Sequence, residues 1–185
     1  SLLTTLPSSC RLFYAIKANS DEVILKSLAP IVAGFEVASL GEIEKVRNVD
    51  SKIPILFGGP GKTHHEIEMA LDNGVTLLHV ESIHELKLIN HIAMRKNATV
   101  PILLRVNLHQ SVPSAKLKMA GVPTQFGIDE KEIDNAISLV KTLPNLILKG
   151  FHFHAMSNNT DSTSHASFVD HCYEMTRKWS SEWDL

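Results

Sequence analysis

Hydrophobic and polar positions follow two periods along this chain, and the periods take turns. Short apolar runs with the two-residue period of a strand give way to stretches where apolar residues return every three or four positions, the spacing of a helix that covers a sheet with one face. The first pair is a strand over Phe13 to Lys17 and a helix over Glu22 to Leu28, which Pro30 stops. The second is Gly34-Phe35-Glu36-Val37, then a helix opening at Ser39-Leu40-Gly41-Glu42 and running to about Asn48. Ile55-Leu56-Phe57 breaks at Gly58-Gly59-Pro60-Gly61, and the helix begun by Thr63-His64-His65-Glu66 ends at Asn73-Gly74. Leu77 to Val80 precedes Ser82-Ile83-His84-Glu85 and a long helix to about Lys96. In all three helix starts a serine or threonine stands three residues before a glutamate, the spacing of a capping box. The fifth pair is Pro101 to Val106, a long loop through Gly127 and a helix from Glu130 to Leu143. The sixth is Leu146 to His154, a loop from Ala155 and a last helix between Ser164 and Trp179.

Six strand–helix pairs in succession predict an α/β fold of parallel βαβ units, with helices covering a buried sheet. A doubly wound sheet normally carries its phosphate-binding glycines directly after the first strand, where this chain has Lys17-Ala18-Asn19-Ser20. The Gly58-Gly59-Pro60-Gly61 turn is interrupted by proline and reads as a loop. The other closure is a TIM (β/α)8 barrel, whose active site gathers at the C-terminal ends of the strands. Lys17, Glu36, Arg105, His152 and His154 occupy those ends. About six units out of eight make the expected structure a partial barrel.

Composition narrows the class. An apolar fraction of 44% over 185 residues supports one sizeable core. Eighteen basic against 20 acidic residues leave no footprint for nucleic acid and no polybasic membrane patch. Cys10 and Cys172 lie far apart without metal spacing, which suits a reduced, cytoplasmic setting. No run reaches the ~18 apolar residues of a membrane span, and no signal peptide opens the chain. Position 1 is not methionine and the chain stops within Trp183-Asp184-Leu185, so the sequence reads as a piece of a longer protein.

Three stretches carry candidate chemistry. In Phe13-Tyr14-Ala15-Ile16-Lys17, a strand burying Phe13, Ala15 and Lys17 on one face would take the amine into the interior. Desolvation favours the neutral amine and so a Schiff base with a carbonyl cofactor. A lysine at a strand end also commonly marks where the chain surfaces. In Gly150-Phe151-His152-Phe153-His154, alternation puts both imidazoles on one face, inward in a barrel, and both phenyl rings under the helices. The H-x-H pair is also a zinc pattern, although no carboxylate or thiol stands at a companion spacing nearby. In Leu103-Leu104-Arg105-Val106-Asn107 a strand arginine needs an anionic partner, either a protein carboxylate such as Glu36 or a cofactor phosphate.

Together these residues resemble a known family. Tyr14-Ala15-Ile16-Lys17-Ala18-Asn19, Gly34-Phe35-Glu36-Val37-Ala38-Ser39, Leu104-Arg105-Val106-Asn107, Gln125-Phe126-Gly127 and Gly150-Phe151-His152-Phe153-His154 stand in the order found in fold-type III pyridoxal-phosphate-dependent decarboxylases of the ornithine and diaminopimelate type, which share the alanine-racemase-like barrel. His154-Ala155-Met156-Ser157 departs from the commoner histidine-x-glycine-serine, and looks more like the branch acting on siderophore or antibiotic intermediates. The resemblance implies pyridoxal 5′-phosphate as cofactor and a small amino acid substrate. It implies Lys17 as the Schiff-base lysine that later returns a proton, and His154 stacked on the pyridine ring. Arg105 and Ser157 would lie near the cofactor, Ser157 on the phosphate side, and Glu36 would replace a commoner aspartate. It also implies that the last barrel units and a C-terminal β domain lie outside residues 1–185, that the intact protein is a homodimer, and that this chain alone is inactive. Two other readings stand beside it: a non-catalytic regulatory relative, and a metal-dependent barrel hydrolase using His152 and His154. A racemase on the same barrel fits the F-H-F-H block less well. The loop from Leu108 to Gln125, with Lys116 and Lys118, reads as solvated surface.

Overall fold

The computed structural model describes residues 2–109, 117–118, 125–154, 156–157 and 159–185. They fall into two compact units, residues 1–78 and 79–185.

In the first unit a one-turn helix α1 (Leu2–Thr5) precedes β1 (Phe13–Ala15), α2 (Glu22–Leu28), β2 (Gly34–Val37), α3 (Leu40–Val49), β3 (Ile55–Phe57), α4 (His64–Asp72) and the first half of β4 (Leu77–Val80), whose His79 and Val80 belong to the second unit. The strands pair in chain order and all in parallel, with Ala15 opposite Glu36, Val37 opposite Phe57 and Leu56 opposite Leu77. Parallel neighbours cannot be joined by tight hairpins, and the intervening helices supply the crossovers. Phe35, Val37, Ile55 and Phe57 on the strands and Ile43, Val46, Ile67 and Ala70 on the helices are buried together. Each large side chain so buried contributes about 1.5–3 kcal/mol of transfer free energy.

Helix starts follow the expected caps, with one refinement. At α4 the box is reciprocal: the Glu66 N–H donates to Thr63 Oγ1 at 3.2 Å, and the Thr63 N–H donates to Glu66 Oε2 at 3.0 Å. At α3, and at α5 (Ile83–Arg95), the caps Ser39 and Ser82 accept from the N–H groups of Glu42 and Glu85. The glutamates there reach one residue further back, to the N–H groups of Ala38 and Glu81, each at 2.6 Å. The Arg47 guanidinium closes the first unit from below, donating to the carbonyls of Asn73, Gly74 and Ile53 at 2.8, 3.0 and 2.7 Å. Its burial lowers its pKa, opposed by the nearby Asp50 carboxylate.

The second unit contains α5, β5 (Val100–Asn107), β6 (Leu117–Lys118), β7 (Ile128–Asp129), α6 (Ile133–Lys141), β8 (Leu146–Phe153), β9 (Met156–Ser157) and α7 (Ser162–Trp183). β5 runs parallel to β7 and, over most of its length, to β8. The β5–β8 register slips after Ile102: Ile102 faces Leu148, but Leu103 faces Gly150. The slip leaves Lys149 over and resets the inside-outside alternation, because a one-residue shift moves every later side chain to the other face. Leu148, Phe151 and Phe153 thereby share registers with the buried Ile102, Leu104 and Val106. Gly150 makes the slip at φ 140°, a conformation that side-chain-bearing residues rarely adopt.

Several boundaries differ from expectation. β1 stops at Ala15, and Ile16–Ala18 forms a 3₁₀ turn. The helix expected from Glu130 to Leu143 is divided into a 3₁₀ turn, Glu130–Glu132, and α6, after the short strand β7. The last helix is longer than expected, and the Trp183 indole N–H pins its end to Asp134 Oδ1 at 2.7 Å. The long loop expected from Leu108 to Gln125 contains β6, antiparallel to β9 with Leu117 opposite Ser157. Lys116 lies outside the described residues.

Candidate functional site

In the first unit, Lys17 sits on the 3₁₀ turn that follows β1. The turn breaks the strand alternation: Ile16 goes into the core, fully buried, and Lys17 is exposed. The expectation that a continuous strand carries the amine into the interior is therefore corrected within this unit. Local hydrogen bonds hold the turn. The Tyr14 hydroxyl donates to the Asn19 carbonyl at 3.3 Å, and Asn19 Oδ1 accepts the Asp21 N–H at 2.9 Å. Asp21 in turn caps α2 by accepting the Val23 N–H at 2.9 Å. The edge of the Tyr14 ring meets the Phe35 ring at a centroid distance of 6.2 Å. This explains the Tyr14–Asn19 pattern: the tyrosine and asparagine clamp the two sides of the turn that presents Lys17. Glu36 lies on the neighbouring strand, opposite Ala15 and half-buried, between the buried Phe35 and Val37.

In the second unit the polar residues share the face of β5 and β8 opposite the phenyl rings. Phe151 packs on Trp179 of α7 at a ring separation of 4.8 Å, as expected for rings lying under the helices. Arg105 stands opposite His152 in the strand register, and His154 follows β8 directly. Of the two partners open to the buried Arg105, a protein carboxylate such as Glu36 or a cofactor phosphate, the structure supplies a carboxylate, that of Glu81: Nη1 donates to both its oxygens, at 2.8 and 2.9 Å. The guanidinium also lies over the Phe126 ring, 4.8 Å from its centroid. Ser157 has its backbone in β9, while its side chain and the neighbouring Ala155 and Asn158 lie outside the described residues.

Two residues escaped the sequence reading. His79, only 3% exposed, stacks its ring on His152 at 4.1 Å. Glu81, 5% exposed, holds Arg105. The alternation of His79 in β4 and Glu81 directly after it could have placed both on one face, as it did for His152 and His154. Both cysteines are free thiols. Burial pushes the Cys172 thiol up to about 11, which keeps it protonated and unreactive. His109, two residues beyond β5, pairs with Asp129 of β7 at 2.8 Å and holds that carboxyl below its ordinary range.

The described side chains offer the types a pyridoxal cofactor needs: an exposed amine on the turn after β1 and a half-buried carboxylate on the neighbouring strand in one unit, and an imidazole in register with a guanidinium in the other. Among the described residues no helix is long and apolar enough to cross a membrane. Comparison with known proteins agrees. A decarboxylase of Staphylococcus aureus acting on 2-[(L-alanin-3-ylcarbamoyl)methyl]-2-hydroxybutanedioate is 46% identical over 98% of this chain and 45% of its own length. The diaminopimelate decarboxylase of Vibrio cholerae is 33% identical over 85% of this chain and 37% of its own. The crystal structure of Helicobacter pylori diaminopimelate decarboxylase (I148L mutant) complexed with L-lysine superposes with a TM-score of 0.84 at 29% identity, covering 94% of this chain and 45% of that one. The chain thus spans under half the length of these relatives, and its fold is the TIM-barrel type of those decarboxylases, present in part. Residues 2–183 match the family described as pyridoxal-dependent decarboxylase, pyridoxal binding domain, and the chain belongs to that family.

Proposed function

We propose that this chain is the cofactor-carrying barrel portion of a longer pyridoxal-phosphate-dependent decarboxylase that acts on an α-amino acid. The observation that carries the reading is the clamped turn of Lys17, whose exposed amine stands at the C-terminal end of β1 beside the strand of Glu36, in a chain that matches this family over residues 2–183. Catalytic groups of barrel enzymes stand at those strand ends.

When bound, pyridoxal phosphate supplies the electron sink for the pair left by departing carbon dioxide. Lys17 Nζ would hold the cofactor covalently and would carry the proton returned to the substrate carbon. His154 would hold the cofactor by supporting its pyridine ring. Glu36 supplies a carboxylate beside the lysine turn. Ser157 serves the phosphate side, and Arg105 stands by the ring. His152, held between the register of Arg105 and the ring of His79, backs this face.

The finer reading is a substrate carrying an amino acid head group on a hydroxy-polycarboxylate, of the kind that serves as a siderophore precursor. The 46% identity to the Staphylococcus aureus decarboxylase, above the 33% to a diaminopimelate enzyme, supports it. We further propose that the intact protein is a cytoplasmic homodimer with a C-terminal β domain, and that the 185-residue chain alone does not turn over.

The test is carbon dioxide release by the full-length parent protein with pyridoxal phosphate. The substrates are diaminopimelate, ornithine, lysine and the citrate amide of 2,3-diaminopropionate, with Lys17→Ala as control. The reading expects release from one of these amino acids and none from the variant. Cofactor binding without release from any substrate would favour the regulatory relative.

A further inference from the structure

Glu81 is a buried carboxylate with an unusual number of ties. Both its oxygens accept from Arg105 Nη1, at 2.8 and 2.9 Å, and Oε2 also accepts the Gly127 N–H at 3.2 Å. Its own backbone is fixed, because its N–H donates to Glu85 Oε2 at 2.6 Å and the Glu85 N–H donates to the α5 cap Ser82 at 3.1 Å. Gly127 has φ 76° and lies so close to β5 that an added Cβ would come within 3.0 Å of the Arg105 carbonyl. The guanidinium is therefore set by a carboxylate on one side and the Phe126 ring on another, in the register position opposite His152.

Stability alone does not account for such a pair. A buried ion pair contributes little more than well-packed apolar residues of the same volume, since desolvation offsets most of the attraction. Its charges also cancel, and a dianionic phosphate approaching Arg105 would meet the Glu81 carboxylate beside it, so the attraction is that of a dipole.

We propose that Glu81 is a positioning residue of the cofactor site: it holds Arg105 with its charge already balanced, so that the guanidinium orients the pyridine ring and does not anchor the phosphate. This rests on the reading of the chain as a pyridoxal-phosphate enzyme.

The test measures binding of pyridoxal phosphate and of pyridoxal, which lacks the phosphate, to the full-length parent protein and its Glu81→Gln and Glu81→Asp variants. Readouts are the two dissociation constants and the absorbance band of the bound cofactor. Loss of one charge-assisted contact predicts that Glu81→Gln weakens both ligands by the same factor, about tenfold, and shifts the band. Glu81→Asp, which keeps the charge, recovers part of both effects. Two results overturn the proposal. If Glu81→Gln tightens pyridoxal phosphate but not pyridoxal, the released guanidinium serves the phosphate. If only the melting temperature moves, Glu81 is merely structural. Should Glu81→Gln not fold, Arg105→Lys carries the same comparison, and an unequal loss for the two ligands overturns the proposal. Failure of the unsubstituted protein to capture pyridoxal phosphate refutes the parent reading, a result distinct from these.

Discussion

The Lys17 turn and the Glu81–Arg105 pair both place a charged side chain beside the end of a strand, by opposite means. The turn is held by neighbours: Tyr14 to Asn19, Asn19 to Asp21, Asp21 to Val23, none more than five residues apart. Its lysine is exposed. The pair is held by strangers: Arg105 is 24 residues from Glu81, and Gly127 is 46. Both charges are buried. The difference teaches where rigidity is needed. In the proposed roles, a covalent attachment point needs reach and access, while an orienting group needs a fixed plane, and long-range packing is what removes that much rotamer freedom.

If this contrast is right, damage to the pair should cost the fold far more than damage to the turn. Replacing Glu81 by Leu strands a buried guanidinium and should lower stability by about 3–5 kcal/mol, whereas Glu81→Leu with Arg105→Leu should recover most of it. Urea unfolding of the single and double variants checks this, and an equal loss in both would show that the pair is not the unit. Gly150→Val forces a β-branched residue into φ 140° and should cost about 1–3 kcal/mol. The same variant should disturb the phase that sets His152 and His154 against Phe151, visible as altered Trp179 fluorescence.

On the local side the effects shrink. Thr63→Ala removes the reciprocal cap of α4 and should cost about 1 kcal/mol in thermal or urea unfolding. Tyr14→Phe deletes one exposed hydrogen bond, about 0.5–1 kcal/mol, but should change the rate at which Lys17 is modified by a carbonyl reagent. A large stability loss there would blur the distinction between the two regions. The smallest effect is acidic. The Thr63 backbone N–H holds the Glu66 carboxyl below its ordinary value of 4.5, so its contribution is present above that value and fades as pH falls through the lower folded value. The melting temperature should therefore drop less between pH 5 and pH 3 in Glu66→Gln than in the parent, with the pH values chosen to be about half a unit or more either side of the ordinary carboxyl range.

What could be read from the chain follows the same division. The caps at Ser39, Thr63 and Ser82, the spans of α2 and β2, and the opposite faces of Phe151 and His152 depend on neighbours in sequence. A glycine inside a strand run is a bulge signal, and Gly150 is one, but where the register slips depends on the pairing of β8 with β5, which neighbours in sequence do not show. That Glu81 is the carboxylate on Arg105 was hidden because the two residues stand 24 positions apart and meet only in the folded unit. The burial assigned to Lys17 failed for a local reason: Ile16 outcompetes it for the core, and the chain turns to let it.

The most direct test of the central claim is borohydride reduction of the full-length parent protein with pyridoxal phosphate, followed by peptide mapping, with Lys17→Ala as control. The account predicts label concentrated on Lys17 and lost in the variant. Label scattered over surface lysines, or retained when Lys17 is replaced, would contradict it.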